Sequence, residues 1–275
     1  MTYADSIKLL YSLRQFGTKL GLENTFSLAA LFGHPEHKLR FIHVAGTNGK
    51  GSTCALLESV YRLAGLKAGL FTSPHLVSFT ERMQVNRQCI AHDDVTRLTG
   101  MIIERLGGED AEKWTLRPTF FEFVTVMALI YFQEQGCDVV VWETGLGGRL
   151  DSTNIVTPLA SLITNIQLDH QQWLGQSVRE IALEKAGIIK PGVPVLTSAE
   201  DAEALEVIRT RAFALQAPLT VVNWTERGPV SLLGAHQRKN AALARSAVER
   251  LRDVFPAADE IIARALHKAA TKPEQ

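Results

Sequence analysis

The chain has 275 residues, of which 46% are hydrophobic and 21% are charged, and this composition is typical of a globular protein that buries its core without disulfides or metal ions. Its 29 basic residues equal its 29 acidic residues, and this balance speaks against a general nucleic-acid-binding protein and against a protein that binds anionic membranes. The cysteines Cys54, Cys89 and Cys137 form no CxxC pair, so neither a zinc site nor a disulfide framework is indicated.

The N-terminal residues lack the basic stretch followed by an apolar stretch that marks a signal peptide. The longest apolar segment, residues 123–132, is far too short to span a bilayer. We therefore expect a cytoplasmic protein.

Strand-like and helix-like patterns alternate along most of the chain. After a helical segment within residues 1–40, the predicted strands cover residues 41–45, 68–72, 138–143, 160–166, 193–197 and 219–222. The predicted helices cover residues 52–64, 119–135, 178–186, 202–215, 240–251 and 259–269. Because the strands are continuously apolar, they predict an α/β fold with a mainly parallel sheet flanked by helices. We expect one domain over residues 1–270 and a tail over residues 271–275.

A glycine-rich loop over residues 46–52 follows the first predicted strand and precedes a helix. Its glycines allow the backbone to approach phosphate oxygens, and the helix adds its positive N-terminal end. Lys50 supplies a charge for the outer phosphates, and the Ser52 hydroxyl is suited to Mg²⁺. The spacing differs from GxxxxGK[ST], because only two residues separate Gly46 from Gly49. The loop still predicts binding of ATP or a close relative.

Two further strand ends carry polar side chains, and a nearby helix ends in a lysine. Glu143 emerges from a buried strand, where a Mg²⁺ ligand or a water-orienting acid is expected. His170 follows Asp169 after the next strand and is a candidate metal ligand, although a solvated loop is an equal alternative. Lys185 precedes the glycine that ends its helix, which by composition alone indicates only a favourable interaction with the helix dipole.

Taken together, these motifs resemble the folylpolyglutamate synthase/dihydrofolate synthase branch of the Mur ligase superfamily. The matching segments occur in the family order at residues 43–52, 72–76, 81–82, 119–122, 143–154, 169–170, 184–188, 236–237 and 240–242. The resemblance implies a P-loop ATPase domain of the Mur ligase type and an ATP-dependent amide ligase. In such an enzyme the carboxylate of dihydropteroate or of a folate glutamyl tail becomes an acyl phosphate, and L-glutamate displaces the phosphate.

The resemblance also implies roles for individual residues. ATP would be held by Thr47, Asn48, Gly49, Lys50, Gly51, Ser52 and Asn240, and Mg²⁺ by Ser73 and Glu143, with His170 on a second metal ion. The catalytic set would be Lys50, Lys185 and His170, and Lys185 matches a lysine that this family carbamylates. The substrate would contact Thr119, Phe120, Phe121, Glu122, Leu150, Asp151 and Ser152, together with the early loop near Leu20 and Gly21.

One departure from the family pattern bears on activity. Family members continue into a Rossmann-like C-terminal domain, whereas this sequence ends at Gln275, so we expect that domain to be absent or supplied by a separate chain. The chain would then bind ATP but ligate poorly by itself. Two alternatives are a non-catalytic ATP- or folate-binding protein derived from the ligase, and another P-loop enzyme such as a small-molecule kinase.

Overall fold

A computed structural model describes residues 1–17, 21–108, 110, 113–223, 234 and 236–268. Within these residues an eight-stranded sheet has the order β4-β3-β2-β5-β1-β6-β7-β8. The strands are β1 (Phe41–Ala45), β2 (Ala68–Phe71), β3 (Met83–Val85), β4 (Gln88–Cys89), β5 (Val139–Glu143), β6 (Ala160–Ile163), β7 (Val195–Thr197) and β8 (Leu219–Val221). All neighbouring strands pair in parallel except for the pairs β2–β3 and β3–β4, which are antiparallel and place a hairpin at one edge.

Helices cover both faces of the sheet. They are α1 (Tyr3–Ser12), α2 (Glu23–Ala30), α3 (Lys50–Leu63), α4 (His92–Leu106), α5 (Phe120–Glu134), α6 (Gln171–Leu174), α7 (Val178–Ala186), α8 (Ala202–Ala214), α9 (His236–Arg250) and α10 (Asp259–Lys268). Short 3₁₀ turns lie at Leu13–Phe16, Pro35–His37, Phe79–Arg82 and Ser152–Ile155. None of the described helices is long and apolar enough to cross a membrane.

The two faces of the central strands pack into different parts of the core. On β1, Phe41 packs into the cluster that includes residues of α1, α2, α4 and α5, whereas Ile42 and Val44 pack into the cluster that includes α3, α9 and α10. A third cluster joins Ala45 and Ile163 to α7 and α8. Successive strand residues point to opposite faces, so a strand covered on both sides must be apolar throughout. This explains the continuous apolar runs in the sequence.

The predicted α/β fold with a mainly parallel sheet and flanking helices is confirmed, and the N-terminal segment is helical. The structure adds α4, α6, β3 and β4 to the predicted set, and α9 begins at His236 rather than at residue 240. The hairpin lacks an apolar run because the buried side chain at the centre of β3 is Gln84. Its turn uses Asn86 and Arg87, both with positive φ. Leu20, Ala269 and the predicted tail lie outside the described residues.

Candidate active site

The predicted site residues meet at the carboxyl ends of the central strands. In the sheet register Val44 of β1 lies beside Glu143 of β5, and Ala45 lies beside Ile163 of β6. The loops that follow these three strands are therefore neighbours. This is the edge of a parallel sheet at which ligands ordinarily bind.

The glycine loop is tied to the end of β6 by hydrogen bonds. The Thr47 N–H donates to the carbonyl of Asn165 at 2.8 Å, and the Asn48 N–H donates to the side-chain oxygen of Asn165 at 2.7 Å. The Thr164 hydroxyl donates to the carbonyl of Asn48 at 2.7 Å. Lys50 is the first residue of α3, and its Nζ donates to the carbonyls of Gly46 and Thr47 at 3.0 and 3.2 Å. The loop is thus held in a fixed shape with its lysine folded over it.

Asn240 on α9 packs directly against this loop. Gly49 caps α3 with a φ of +86°, and a Cβ atom at Gly49 would overlap Asn240 Oδ1. The Asn240 amide donates to Gln237 Oε1 at 2.8 Å, and the Gln237 amide donates to Ser52 Oγ at 3.2 Å. A cavity of about 1210 Å³ opens here, and its lining includes Asn48, Gly49, Ser52, Gln237 and Asn240. We refer to it as the nucleotide cavity.

Glu143 and Ser73 form a pair of oxygen ligands beside the glycine loop. The Ser73 N–H donates to Glu143 Oε2 at 3.0 Å, while the buried Ser73 hydroxyl has no hydrogen-bond partner among the described residues. Burial raises the pKa of Glu143 to about 7, and the charge of Lys50 acts in the opposite direction. A cavity of about 280 Å³, which we call the metal cavity, is lined by both residues and by Gly49, Gly51 and Ser52. A buried carboxylate beside an unpartnered hydroxyl fits a hard cation such as Mg²⁺.

Lys185 and His170 occupy different environments. Lys185 is buried, and its Nζ donates to the carbonyl of Gly46 at 2.8 Å. Burial and, to a smaller extent, the nearby charge of Lys50 together lower the pKa of Lys185 to about 7. His170 is exposed, begins α6 with a φ of 47°, and has its Nε2 3.6 Å from Asp169 Oδ2. Lys185 therefore contacts the phosphate loop, whereas His170 lines neither the nucleotide cavity nor the metal cavity.

A third cavity, of about 500 Å³, collects most of the residues predicted to bind the carboxylic substrate. We call it the substrate cavity, and it is lined by Arg14, Gly17, Ser73, Pro74, Arg82, Thr119, Phe120, Phe121, Gly145, Leu146, Leu150, Asp151 and Ser152. Glu122 is not among them. Its carboxylate instead accepts the Thr119 N–H at 2.6 Å and completes the capping box that starts α5.

A buried hydrogen-bonded chain connects the substrate loop to β1. The Thr153 hydroxyl donates to Asp151 Oδ1 at 2.5 Å, so Thr153 Oγ1 accepts from His43 Nε2 at 2.9 Å. Burial lowers the pKa of His43 to about 3, which keeps the imidazole neutral. Asp151 also accepts the N–H groups of Leu146 and Thr153. Asp151 is therefore held in one orientation at the wall of the substrate cavity.

Arg14 and Arg82 line the substrate cavity but do not belong to the predicted site. Arg82 Nε donates to His75 Nδ1 at 2.8 Å, which leaves His75 Nε2 to donate to the Tyr11 hydroxyl at 3.2 Å. The guanidinium of Arg14 lies 4.4 Å from the centre of the Tyr11 ring. Arg82 stands in one of the matching motifs, but Arg14 comes from the N-terminal helical segment, where no sequence pattern singles it out.

Comparison with known proteins settles the family. The chain is 41% identical to the dihydrofolate synthase/folylpolyglutamate synthase of Bacillus subtilis over 295 aligned residues, which cover 98% of the chain and 68% of that relative. The chain belongs to the dihydrofolate synthase/folylpolyglutamate synthase family. It is also 37% identical to the mitochondrial folylpolyglutamate synthase of Homo sapiens, of which it spans 46%. No family model matches the chain.

Solved structures of this family share the fold. The Escherichia coli protein FolC in complex with DHPP and ADP superimposes with a TM-score of 0.86 at 31% identity, over 98% of this chain and 66% of that one. The bifunctional enzyme of Yersinia pestis complexed with AMPPNP and a Mn ion gives a TM-score of 0.84 at 31% identity, over 98% and 67%. The expected family of ATP-dependent ligases is confirmed. These comparisons give no support to a separate C-terminal-domain chain.

Proposed function

We propose that this chain is the ATP-binding portion of a ligase that adds L-glutamate to dihydropteroate, to a folate glutamyl carboxylate, or to both, through an acyl phosphate. The observation that carries the proposal is the order of the three cavities. Gly49 and Ser52 line both the nucleotide cavity and the metal cavity, while Ser73 and Pro74 line both the metal cavity and the substrate cavity. A nucleotide and a carboxylic acid bound at the two ends would meet at Glu143 and Ser73.

The nucleotide cavity supports binding of ATP through the backbone of residues 47–52. The N-terminus of α3 and the ammonium group of Lys50 offer positive charge to the phosphates, and Asn240, which packs against Gly49, is the proposed contact of the adenine. Lys50 Nζ donates hydrogen bonds to two loop carbonyls. It would exchange at least one of them for a phosphate oxygen. The nucleotides named in the E. coli and Y. pestis structures support nucleotide binding in this family.

Ser73 and Glu143 would hold Mg²⁺, as their unpartnered hydroxyl and buried carboxylate fit this ion. When bound, Mg²⁺ would neutralise charge on the phosphate oxygens during transfer. The exposed His170, whose Nε2 lies 3.6 Å from Asp169 Oδ2, is the proposed ligand of a second ion. The Mn ion named in the Y. pestis structure supports a divalent cation in this family.

The substrate cavity combines apolar and charged groups in a way that suits an aromatic carboxylic acid. Phe120 and Phe121 offer ring surfaces, while the fixed Asp151 accepts hydrogen bonds and Arg14 and Arg82 balance a carboxylate. An oxygen of the substrate carboxylate attacks the γ-phosphorus as the bond to ADP breaks. The amine of L-glutamate then attacks the acyl carbon, loses a proton, and expels phosphate. DHPP in the E. coli structure supports this class of substrate.

Substitution of the loop lysine tests the proposal. Lys50→Met should abolish binding of Mg-ATP measured by calorimetry, and it should abolish glutamate-dependent phosphate release when the C-terminal portion of a full-length relative is supplied. Lys8→Met, at an exposed position on α1, is the matched control and should leave both unchanged. Tight binding of ATP and dihydropteroate with no turnover under any of these conditions would favour a non-catalytic binding protein. A stable phosphorylated product without glutamate would favour a kinase.

We further propose that residues 1–270 belong to one ATP-binding domain and that the protein acts in the cytoplasm. Dihydropteroate or folates and L-glutamate are the proposed small-molecule partners. The residues that complete the glutamate site are proposed to lie in the portion of the relatives that this chain does not span.

A further inference from the structure

A cluster of three ligand-type side chains lies away from the active site, in the turn before β1. A nitrogen of His34, a carboxylate oxygen of Glu36 and a nitrogen of His37 all lie within 4.8 Å of one another. This is the one such group of histidine, cysteine and carboxylate side chains among the residues that the structure describes. None of the three lines the nucleotide, metal or substrate cavity. The cluster therefore lies outside these three cavities.

The backbone holds the three side chains on one side of a tight turn. His34 has a left-handed conformation with φ 55°, which turns the chain just before the 3₁₀ turn Pro35–His37. Histidine tolerates this region better than most residues, and Pro35 fixes the next φ. The two imidazole rings stack with their centres 5.1 Å apart. The histidines are thus brought together by the local chain path.

Glu36 supplies the charge at the centre of the cluster. Its side chain is fully buried, and Oε1 lies 2.8 Å from His34 Nδ1 and 3.7 Å from His37 Nε2. The other oxygen, Oε2, is buried without a hydrogen-bond partner among the described residues. A buried carboxylate is costly unless its charge and both oxygens are satisfied. A dication bound at Oε1 between the three groups would compensate the charge of this carboxylate.

The donor atoms lie near the spacing of a small tetrahedral ion, and rotation of the two exposed imidazoles would bring them to it. Donor atoms about 2.0–2.1 Å from a zinc ion in a tetrahedral site are separated by roughly 3.4 Å. The observed separations of 2.8 and 3.7 Å lie on either side of that value. Two imidazoles and one carboxylate are a donor set typical of zinc, nickel or copper, whereas Mg²⁺ prefers oxygen ligands alone. The side chains of His34 and His37 are 45% and 70% exposed, so an ion can enter directly from solvent.

We propose that His34, Glu36 and His37 form a binding site for a divalent transition-metal ion of the zinc class, with the fourth position open to solvent. All three ligands lie in the turn between α2 and β1, so binding would fix the shape of this turn. The site is separate from the proposed Mg²⁺ position at Ser73 and Glu143. Its imidazole donors favour transition-metal ions over Mg²⁺, so an excess of Mg²⁺ does not displace the bound ion.

The test is a zinc titration of the full chain, without an affinity tag, against a chromophoric chelator and with excess Mg²⁺ to occupy oxygen sites. We expect one zinc ion per chain in the unmodified protein. Even the loss of an outer partner of a metal ligand commonly costs about 10- to 100-fold in affinity, so the double variant His34→Ala/His37→Ala should bind zinc at least roughly tenfold more weakly. The control His92→Ala/His267→Ala, which removes two other exposed imidazoles, should bind zinc as the unmodified chain does.

Two measurements keep the outcome unambiguous. Thermal unfolding in metal-free buffer should show a cooperative transition for both double variants, with a lower midpoint for His34→Ala/His37→Ala because the buried Glu36 Oε1 loses its imidazole partners. X-ray absorption at the zinc edge should show imidazole nitrogen and carboxylate oxygen as donors. Zinc binding that is unchanged in His34→Ala/His37→Ala, that is lost in the control, or that involves sulfur donors would overturn the proposal, as would the lack of a bound zinc ion.

Discussion

Thr153 carries the single hydroxyl that joins β1 to the substrate loop. It donates to Asp151 and accepts from His43, and all three side chains are buried. Thr153→Val keeps the shape but leaves His43 Nε2 and one oxygen of Asp151 without this partner. We expect the free energy of unfolding, measured with urea, to fall by about 1–3 kcal/mol. Substrate affinity should fall as well, because Asp151 loses its fixed orientation.

Thr153→Ser is the matched control for this prediction. Serine keeps both hydrogen bonds and loses one buried methyl group, which costs roughly 1 kcal/mol in stability. The affinity for dihydropteroate should therefore remain close to that of the unmodified chain in Thr153→Ser and decline in Thr153→Val. Equal affinities in the two variants would show that the chain of hydrogen bonds does not orient Asp151.

Lys185 is the residue whose role depends most on the tertiary structure. Burial brings the pKa of Lys185 to about 7, so its neutral amine becomes the major form above that pH. Only the neutral nitrogen can attack CO₂, losing a proton to give a carbamate. We expect the carbamate signal in ¹³C NMR with labelled bicarbonate to increase as the pH rises from about 6 to 8. Lys185→Arg should lack the signal, and a signal that persists in that variant would place the modification elsewhere.

This lysine also shows why part of the site could not be derived from local sequence. Near a helix C-terminus followed by glycine, a lysine is favourable for its interaction with the dipole and needs no further role. Its contact with the Gly46 carbonyl joins positions 139 residues apart and is determined by how α7 packs against the phosphate loop. Only the resemblance to a family singled it out, and its catalytic role stays a prediction.

At the scale of elements, the turn into α3 depends on Gly49. An alanine there would adopt an unfavourable positive φ and would place its Cβ against Asn240 Oδ1. Gly65, just after the same helix, also has a positive φ of +89°, but a Cβ atom there would contact no neighbouring part of the fold within 4 Å. Gly65→Ala therefore measures only the cost of a positive φ for alanine, about 1–2 kcal/mol. Gly49→Ala should destabilise the chain more and should abolish nucleotide binding in calorimetry. Retained ATP affinity in Gly49→Ala would contradict the proposed position of Asn240.

The elements that the sequence predicted well are those whose burial is complete. β1 and β5 are apolar at nearly every position, so both could be predicted as strands without knowing which strands pair with them. β3 is different, because its pairing with β2 and β4 buries Gln84, a polar residue that no periodicity marks as a core position. Glu122 was predicted to contact the substrate. A glutamate at this position can also complete a capping box, so its residue type alone does not distinguish the two roles. The structure shows the capping bond.

At the scale of the whole molecule, the order of the cavities explains how one sheet edge serves two ligands. The central metal cavity has walls from β2, α3 and β5, so a shift of any of these elements would change the distance between a bound nucleotide and a bound acid. Such geometry was only partly predictable. Strand ends converge in any parallel sheet, but tertiary packing decides which side chains line two cavities at once, as Pro74 does for the substrate and metal cavities.

The rim of this edge is exposed and apolar. Leu76 of the metal cavity is 69% exposed, Leu168 of the nucleotide cavity is 55% exposed, and the neighbouring Val77 is 84% exposed. Apolar side chains around a ligand site are typical of surfaces that another structural unit covers. The chain spans 46% of its human relative, so the relatives contain further residues that are available for this role.

We therefore expect a polypeptide of these 275 residues to bind Mg-ATP but to form little amide product, because a site open to water neither holds the acyl phosphate nor orients glutamate. Calorimetry should show a single ATP site, and incorporation of labelled glutamate into dihydropteroate should be close to background. Addition of the remaining portion of a full-length relative, in trans or by fusion, should raise incorporation without a matching change in ATP affinity, because that portion acts after the nucleotide has bound. Efficient ligation by the 275 residues alone would show that the active site needs no further structural unit over the exposed rim.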